Sequence, residues 1–220
     1  MKKRTVKIGA YDTAAHGWTL AGCKLADPEL KEIFVEKTGG DGSWNLTSAM
    51  TGGIPRYKNR PLAIRLECSI GTREDREALI NELVNDYDGF EWQIVLPDRP
   101  DHYVFGQVRV AVEYSDLSHA AVNVTATCEP WLYQDRESVV ELTAAATAQT
   151  AVIRNSGRRA VVPVITTTGS VQLRYGIFTT TIDTAGAYEW SPLLLTPGLH
   201  ELEYSGDGIL TVTFREAVLR

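Results

Sequence analysis

The pattern of this chain predicts a mainly β protein built in two parts, and three observations carry the prediction. Most apolar runs alternate with period two and are rich in β-branched residues. Those runs are short and punctuated by Gly, Pro, Asn and Asp clusters. One stretch alone repeats its apolar residues at helical spacing. The length of 220 residues allows one large or two modest domains, and a hydrophobic fraction of 44% is enough to build a core.

The N-terminus, MKKRTVKIGAYD, is basic but no apolar run follows it, so no signal peptide is expected. The segment from about 36 to 60 joins a glycine turn, the Trp44-x-Leu46 pair, a second glycine turn and Tyr57-Lys58-Asn59-Arg60. It reads as an irregular arm that leaves and rejoins a β-sheet. Residues 63–68 alternate as a strand entering the helix. Thr72 is placed to cap that helix, expected over 73–88, with Glu74 and Asp75 in its first turn where the helix dipole favours negative charge. Leu79, Ile80, Leu83, Val84 and Tyr87 form its apolar face, and Gly89 stops it. Residues 92–96, 103–114 and 121–128 follow as strands, with Val108, Val110, Val112 and Tyr114 expected on one face of the second. The connectors are Pro97-Asp98-Arg99-Pro100-Asp101 and residues 115–118. Residues 1–134 therefore read as a β-rich domain with one helix inserted between two strands.

The texture changes after Trp131. Residues 135–150 are polar and then small, and are expected as a linker. Residues 151–220 carry seven short strand patterns separated by Gly and Pro turns, which reads as a small sandwich or jelly roll. A unit of that size without disulfides buries little surface, so support by docking is expected.

Chemistry is sparse. The net charge of −6 argues against nucleic-acid binding, and no window approaches a membrane-spanning length. Cys23, Cys68 and Cys128 are far apart and odd in number, reading as buried thiols of a protein made in a cytoplasm rather than zinc or disulfide partners. The sequons at Asn45 and Asn123 then carry no glycan. The four histidines are scattered. Asp98, Asp101 and His102 form the densest titratable cluster, but its prolines mark a hairpin loop. Asp41 and Asp207 sit in Gly-Asp-Gly turns without calcium-loop spacing. Nucleophile-elbow, phosphate-loop and metalloprotease motifs are missing from the sequence, so no catalytic, metal or cofactor residues are assigned and no enzyme is expected. Of the five tryptophans, Trp92 and Trp131 suit a core and Trp44 an interface. Trp190, with Tyr188 and Tyr175, offers candidate glycan contacts.

Three blocks together resemble the distal tail protein (Dit-like) family of long-tailed, non-contractile bacteriophages. They are the arm from Gly40 to Arg60, the strand–helix–hairpin series ending Cys128-Glu129-Pro130-Trp131, and the final strand series from Asn155-x-Gly157 to Thr213-Phe214-Arg215. The resemblance implies a phage or prophage tail component: an N-terminal sandwich closing into a hexameric baseplate ring, with a galectin-like or carbohydrate-module-like sandwich outside it. It implies no cofactor. It also implies as partners further copies of the chain, the tail tube protein, a tail-tip spike or tail-associated protein and a receptor-binding protein. The location implied is the tail tip of the virion. Trp44, Leu46, Tyr57 and Arg60 are then expected at the subunit contact. The alternative reading is a monomeric carbohydrate-binding module protein using its second sandwich.

Overall fold

The computed structural model describes residues 4–116 and 118–220; residues 1–3 of the basic N-terminus and Leu117 of the second connector lie outside the described residues. The chain divides into two compact units, Met1–Pro130 with Arg220, and Trp131–Leu219. It is mainly β, in antiparallel sheets.

The first unit opens with the short strands β1 (Lys7–Ile8) and β2 (Tyr11–Asp12), then β3 (Thr19–Leu25). The arm follows, with β4 (Phe34–Glu36), β5 (Ser43–Asn45) and the single-turn helix α1 (Thr47–Thr51). Next come β6 (Arg60–Cys68), helix α2 (Arg73–Tyr87), β7 (Glu91–Leu96), β8 (Arg99–Ser115) and β9 (Ala120–Cys128). The main sheet runs β2-β1-β7-β8-β9-β6-β3. Its alternation is regular in β6, where Leu62, Ile64 and Leu66 are buried while their neighbours point outward. Register places Leu66 beside Val122 and Ile64 beside Val124, so the aliphatic residues of adjacent strands form one apolar face. Gly106 sits mid-strand opposite Cys128; a Cβ there would meet the Cys128 Sγ at 2.6 Å, which explains a glycine inside a strand. Burial pushes the Cys128 thiol pKa up to about 12.

Helix α2 starts as its sequence dictates. The Thr72 hydroxyl accepts from the Asp75 amide, and the Asp75 carboxylate accepts from the Thr72 amide at 2.7 Å. Ile80 and Leu83 are buried, with Leu79, Val84 and Tyr87 half-buried beside them. Arg76 joins this face against expectation: it is 1% exposed and its guanidinium donates to the carbonyls of Gly71 and Asp116. At the far end of β8 the expected face fails. Val108 is fully buried, yet Val112 and Tyr114 are exposed. Pairing with β7 ends at Gln107, and beyond it residues 111–114 are exposed on both faces of the strand, with a register irregularity between Val112 and Tyr114.

The second unit holds β10 (Leu132–Gln134), β11 (Ser138–Ala144), β12 (Gln149–Asn155), β13 (Val164–Thr167) and β14 (Val171–Tyr175). It continues with β15 (Phe178–Ile182), β16 (Gly186–Glu189), β17 (Gly198–Gly206), β18 (Gly208–Phe214) and β19 (Ala217–Val218), the last pairing with β10. Two four-stranded sheets, β11-β18-β13-β16 and β12-β17-β14-β15, enclose a core containing Ile153, Ile165, Leu173, Leu202 and Val212. Strand β11 and the start of β12 occupy much of the 135–150 segment expected as a linker, because Val140 and Leu142 pack on that core. Strand β16 ends at Glu189. There Leu193 N–H turns back to the Trp190 carbonyl, and Pro192 has no N–H to give a ladder. Asn155 is buried and organises the nearby loop: its amide donates to the Arg159 and Leu195 carbonyls, and its carbonyl accepts from Gly157 N–H.

Candidate functional site

The arm is the most distinctive surface of the first unit. It continues the β3–β6 ladder outward: Ala26 N–H donates to the Pro61 carbonyl, Lys58 N–H to Glu29, and Lys31 N–H to Arg56. An isolated bridge pairs Leu30 with Tyr57. Further out, Leu46 N–H donates to the Ile33 carbonyl while Ile33 N–H donates to the Thr47 hydroxyl at 2.8 Å. Beyond that point β4 and β5 form a separate two-stranded sheet, with Val35 opposite Trp44. Gly39 and Gly42, both at positive φ, close the tip.

Alternation puts Ile33, Val35, Trp44 and Leu46 on one face of this ribbon. Trp44 is 60% exposed, and Phe34, Val35, Leu30 and Met50 are also largely in solvent. The Lys37 ammonium stands 5.0 Å from the Trp44 ring centroid, a cation–π contact on the same ribbon. An isolated two-stranded ribbon is marginal in water, so a row of exposed apolar side chains on one calls for a covering surface.

The four residues expected at a subunit contact separate into two groups. Trp44 is exposed, and Leu46 and Tyr57 are half-buried on the arm. Arg60 departs from the expectation: it is 4% exposed at the arm's base, where its guanidinium donates to the Ala26 carbonyl. Burial lowers its pKa, opposed by the nearby Cys128. Its place is inside the subunit, anchoring the point where the arm leaves the sheet.

In the second unit the structure separates the three candidate glycan residues. Tyr188 and Trp190 lie together beside a cleft of about 320 Å³ at β15 and β16. Tyr175 sits on β14 in the other sheet, with its hydroxyl 2.7 Å from His200 Nδ1. His200 Nε2 is 2.7 Å from the Thr196 carbonyl, so Nε2 carries a proton and Nδ1 accepts from the tyrosine. Tyr175 is thus committed to an internal hydrogen bond. Of the other tryptophans, Trp18 is buried and donates to the Tyr11 hydroxyl, while Trp92 and Trp131 are half-buried.

Asp98 lies at the tip of the β7–β8 hairpin, with Asp101 exposed beside it on β8. Among the described residues, no group of three or more His, Cys, Asp or Glu side chains is placed to hold a metal ion. No described helix is long and apolar enough to cross a membrane. The signal that sequence reading missed is the number of apolar residues the arm exposes: Leu30, Phe34 and Met50 are in solvent as well as Trp44, spaced too irregularly for any single period to collect them.

No protein-family model matches the chain, and no curated protein sequence matches it. Among solved structures, the SPP1 phage Dit (gp 19.1) protein, described as a paradigm of the hub adsorption apparatus in phages infecting Gram-positive bacteria, matches with a TM-score of 0.69 at 15% identity, over 96% of this chain and 98% of that one. Two structures of the phage p2 baseplate in its activated conformation, with strontium and with calcium, match at 9% and 10% identity. Their TM-scores are 0.43 and 0.42, over 96% and 95% of this chain and 97% of each of theirs, a level of likeness that does not define a fold. At 15% identity the SPP1 match speaks for architecture: the chain has the fold of that protein along nearly its whole length.

Proposed function

We propose that this chain is a non-catalytic structural protein of a phage tail tip, a hub whose first units close into a homohexameric ring. The ring joins the tail tube to the tail-tip spike or tail-associated protein and gives receptor-binding proteins an anchorage. The protein is made in the bacterial host cytoplasm and ends in the virion. The observation that carries this reading is the end-to-end correspondence of both units with the SPP1 Dit protein, 96% of one chain against 98% of the other.

The arm supports it physically. Among the described residues β3 pairs with β6 alone, leaving a seven-residue edge, and the arm leaves the sheet from that edge with its apolar row exposed. An unpaired edge and an uncovered apolar ribbon are both surfaces that association removes. A head-to-tail contact between different patches of identical subunits closes into a ring when its rotation divides the circle. Trp44, Leu46 and Tyr57 are the contact residues proposed on the arm, with Arg60 holding its base.

Size-exclusion chromatography with light scattering over a concentration series, followed by negative-stain imaging, tests the reading. The expected result is a closed particle of six subunits. A strict monomer that also fails to bind purified tail tube protein removes the hub assignment.

A further inference from the structure

Each sheet of the second unit turns one side to the core and the other to solvent, and the two solvent sides differ in chemistry. In β11-β18-β13-β16, register lines up Val139, Thr213, Val164 and Glu189 in one row across all the strands. Val140, Val212, Ile165 and Tyr188 beside them alternate to the opposite side and pack into the core. Val139 is 58% exposed and Val164 37%, on either flank of Thr213, so their methyl groups are contiguous rather than scattered. Glu141, two residues along from Val139, and Ile209, four before Thr213, share this solvent side. Every other strand position on it is threonine or alanine.

No lysine or arginine stands among these strand positions. The carboxylates of Glu141 and Glu189 are exposed, and neither takes part in an ion pair among the described residues. The solvent side of β12-β17-β14-β15 is built differently. There Arg154, Arg174, Glu201 and Glu203 are interspersed with Val152 and Leu199, and Arg174 Nη1 donates to Glu203 at 3.2 Å. Cation and anion offset each other on that side; the first sheet leaves its acids without a counter-charge.

A contiguous row of β-branched side chains with charge of one sign gains on two counts from a partner that covers it. Covering takes the methyl groups out of water, and a lysine or arginine on the partner supplies the missing charge. An anionic partner such as nucleic acid or lipid phosphate is repelled, and two copies of the face pressed together would set carboxylate against carboxylate. We infer that this face is a protein-docking surface, taking a partner that presents aliphatic side chains together with lysine or arginine. The inference rests on the hub reading for the identity of the proteins to try.

Biolayer interferometry tests it, with the full chain offered to three purified proteins in turn: tail tube, tail-tip spike and receptor-binding protein. The expected result is binding by one of them that weakens as salt is raised and falls about tenfold or more in Glu141→Lys and in Glu189→Lys. Val164→Lys, within the apolar row, is expected to weaken it as much. Arg154→Glu, on the other sheet, is the control and is expected to leave affinity unchanged. All four positions are exposed, and a circular-dichroism melt of each variant confirms that it folds. Binding by none of the three proteins overturns the inference, as does binding that survives every variant of the face or falls equally in the control. Light scattering on the same variants is expected to show assembly unchanged; assembly lost in them would assign the face to a contact between copies and overturn the inference. Intact rings with no binding at this face reject the docking surface and leave the hub reading standing.

Discussion

The arm of the first unit and the sandwich of the second are both antiparallel β-structure with aromatic and β-branched residues, yet they treat those residues in opposite ways. In the sandwich, Ile153, Leu173 and Leu202 are fully buried because two sheets face each other across one core. In the arm, Val35 and Trp44 form an equally good cross-strand pair and remain largely in water. The difference lies in layers rather than composition. A β-ribbon has two faces, and without a second layer neither can be closed. The sandwich closes both of its inner faces within the chain; the arm leaves Val35 and Trp44 uncovered.

This contrast can be broken most decisively by removing the arm. Replacing residues 32–55 with a short Gly-Ser turn exploits the existing Lys31–Arg56 hydrogen bond at the junction. Assembly into rings is expected to disappear in light scattering while the melting transitions persist; rings that form without the arm would show it to be ornament.

The next largest effect belongs to the completed layer. Leu173→Ala leaves a cavity in the sandwich and is expected to cost about 2–5 kcal/mol, read by denaturant melts. The same kind of truncation on the arm, Trp44→Ala, is expected to leave the monomer's stability within about 0.5 kcal/mol. Association should weaken instead, by about 2 kcal/mol per contact if Trp44 is an anchor of the interface, measured by the concentration at which particles dissociate. Equal destabilisation of the monomer by both truncations would erase the contrast.

Smaller effects probe what holds the first unit apart from its arm. Thr72→Ala removes the α2 cap and is expected to lower the melting temperature by a few degrees. The smallest effect is an acid one. The Thr5 hydroxyl holds the Asp12 carboxyl below its ordinary pKa, as the backbone amides of Thr72 and Ser118 do for Asp75 and Asp116. A depressed folded pKa contributes stability that is present above the unfolded value near ~3.9 and lost as pH falls through the folded one. Melting temperature should therefore decline below about pH 4, and Asp12→Asn should flatten that decline.

How much of this was legible in the sequence varies by element. Helix α2 was nearly complete there, because its cap, apolar spacing and stop are all local, and the structure ends it at Tyr87 beside the expected Gly89. The arm was legible as an irregular insertion, from its glycine turns and Trp44. Its ladder of hydrogen bonds was not, because those pairings join residues as far apart in sequence as Ala26 and Pro61. Val112 and Tyr114 look like core in the alternation of β8 and become surface because β8 runs past the end of its pairing with β7 at Gln107, which follows from a partner strand rather than from β8 itself. Tyr175, Tyr188 and Trp190 carry the same chemistry in sequence; the fold leaves Tyr188 and Trp190 at one cleft and commits the Tyr175 hydroxyl to His200.

By itself, the sequence determined that this protein is mainly β, where its long helix begins and ends, and which residues are apolar enough to need cover. Those properties come from short-range dihedral preferences, capping and period, all of which act within a few residues. The tertiary structure decided which apolar residues receive cover inside the chain and which do not. Arg60 is buried while Trp44 is exposed, although both belong to one segment, because burial depends on what distant strand or layer arrives opposite each side chain.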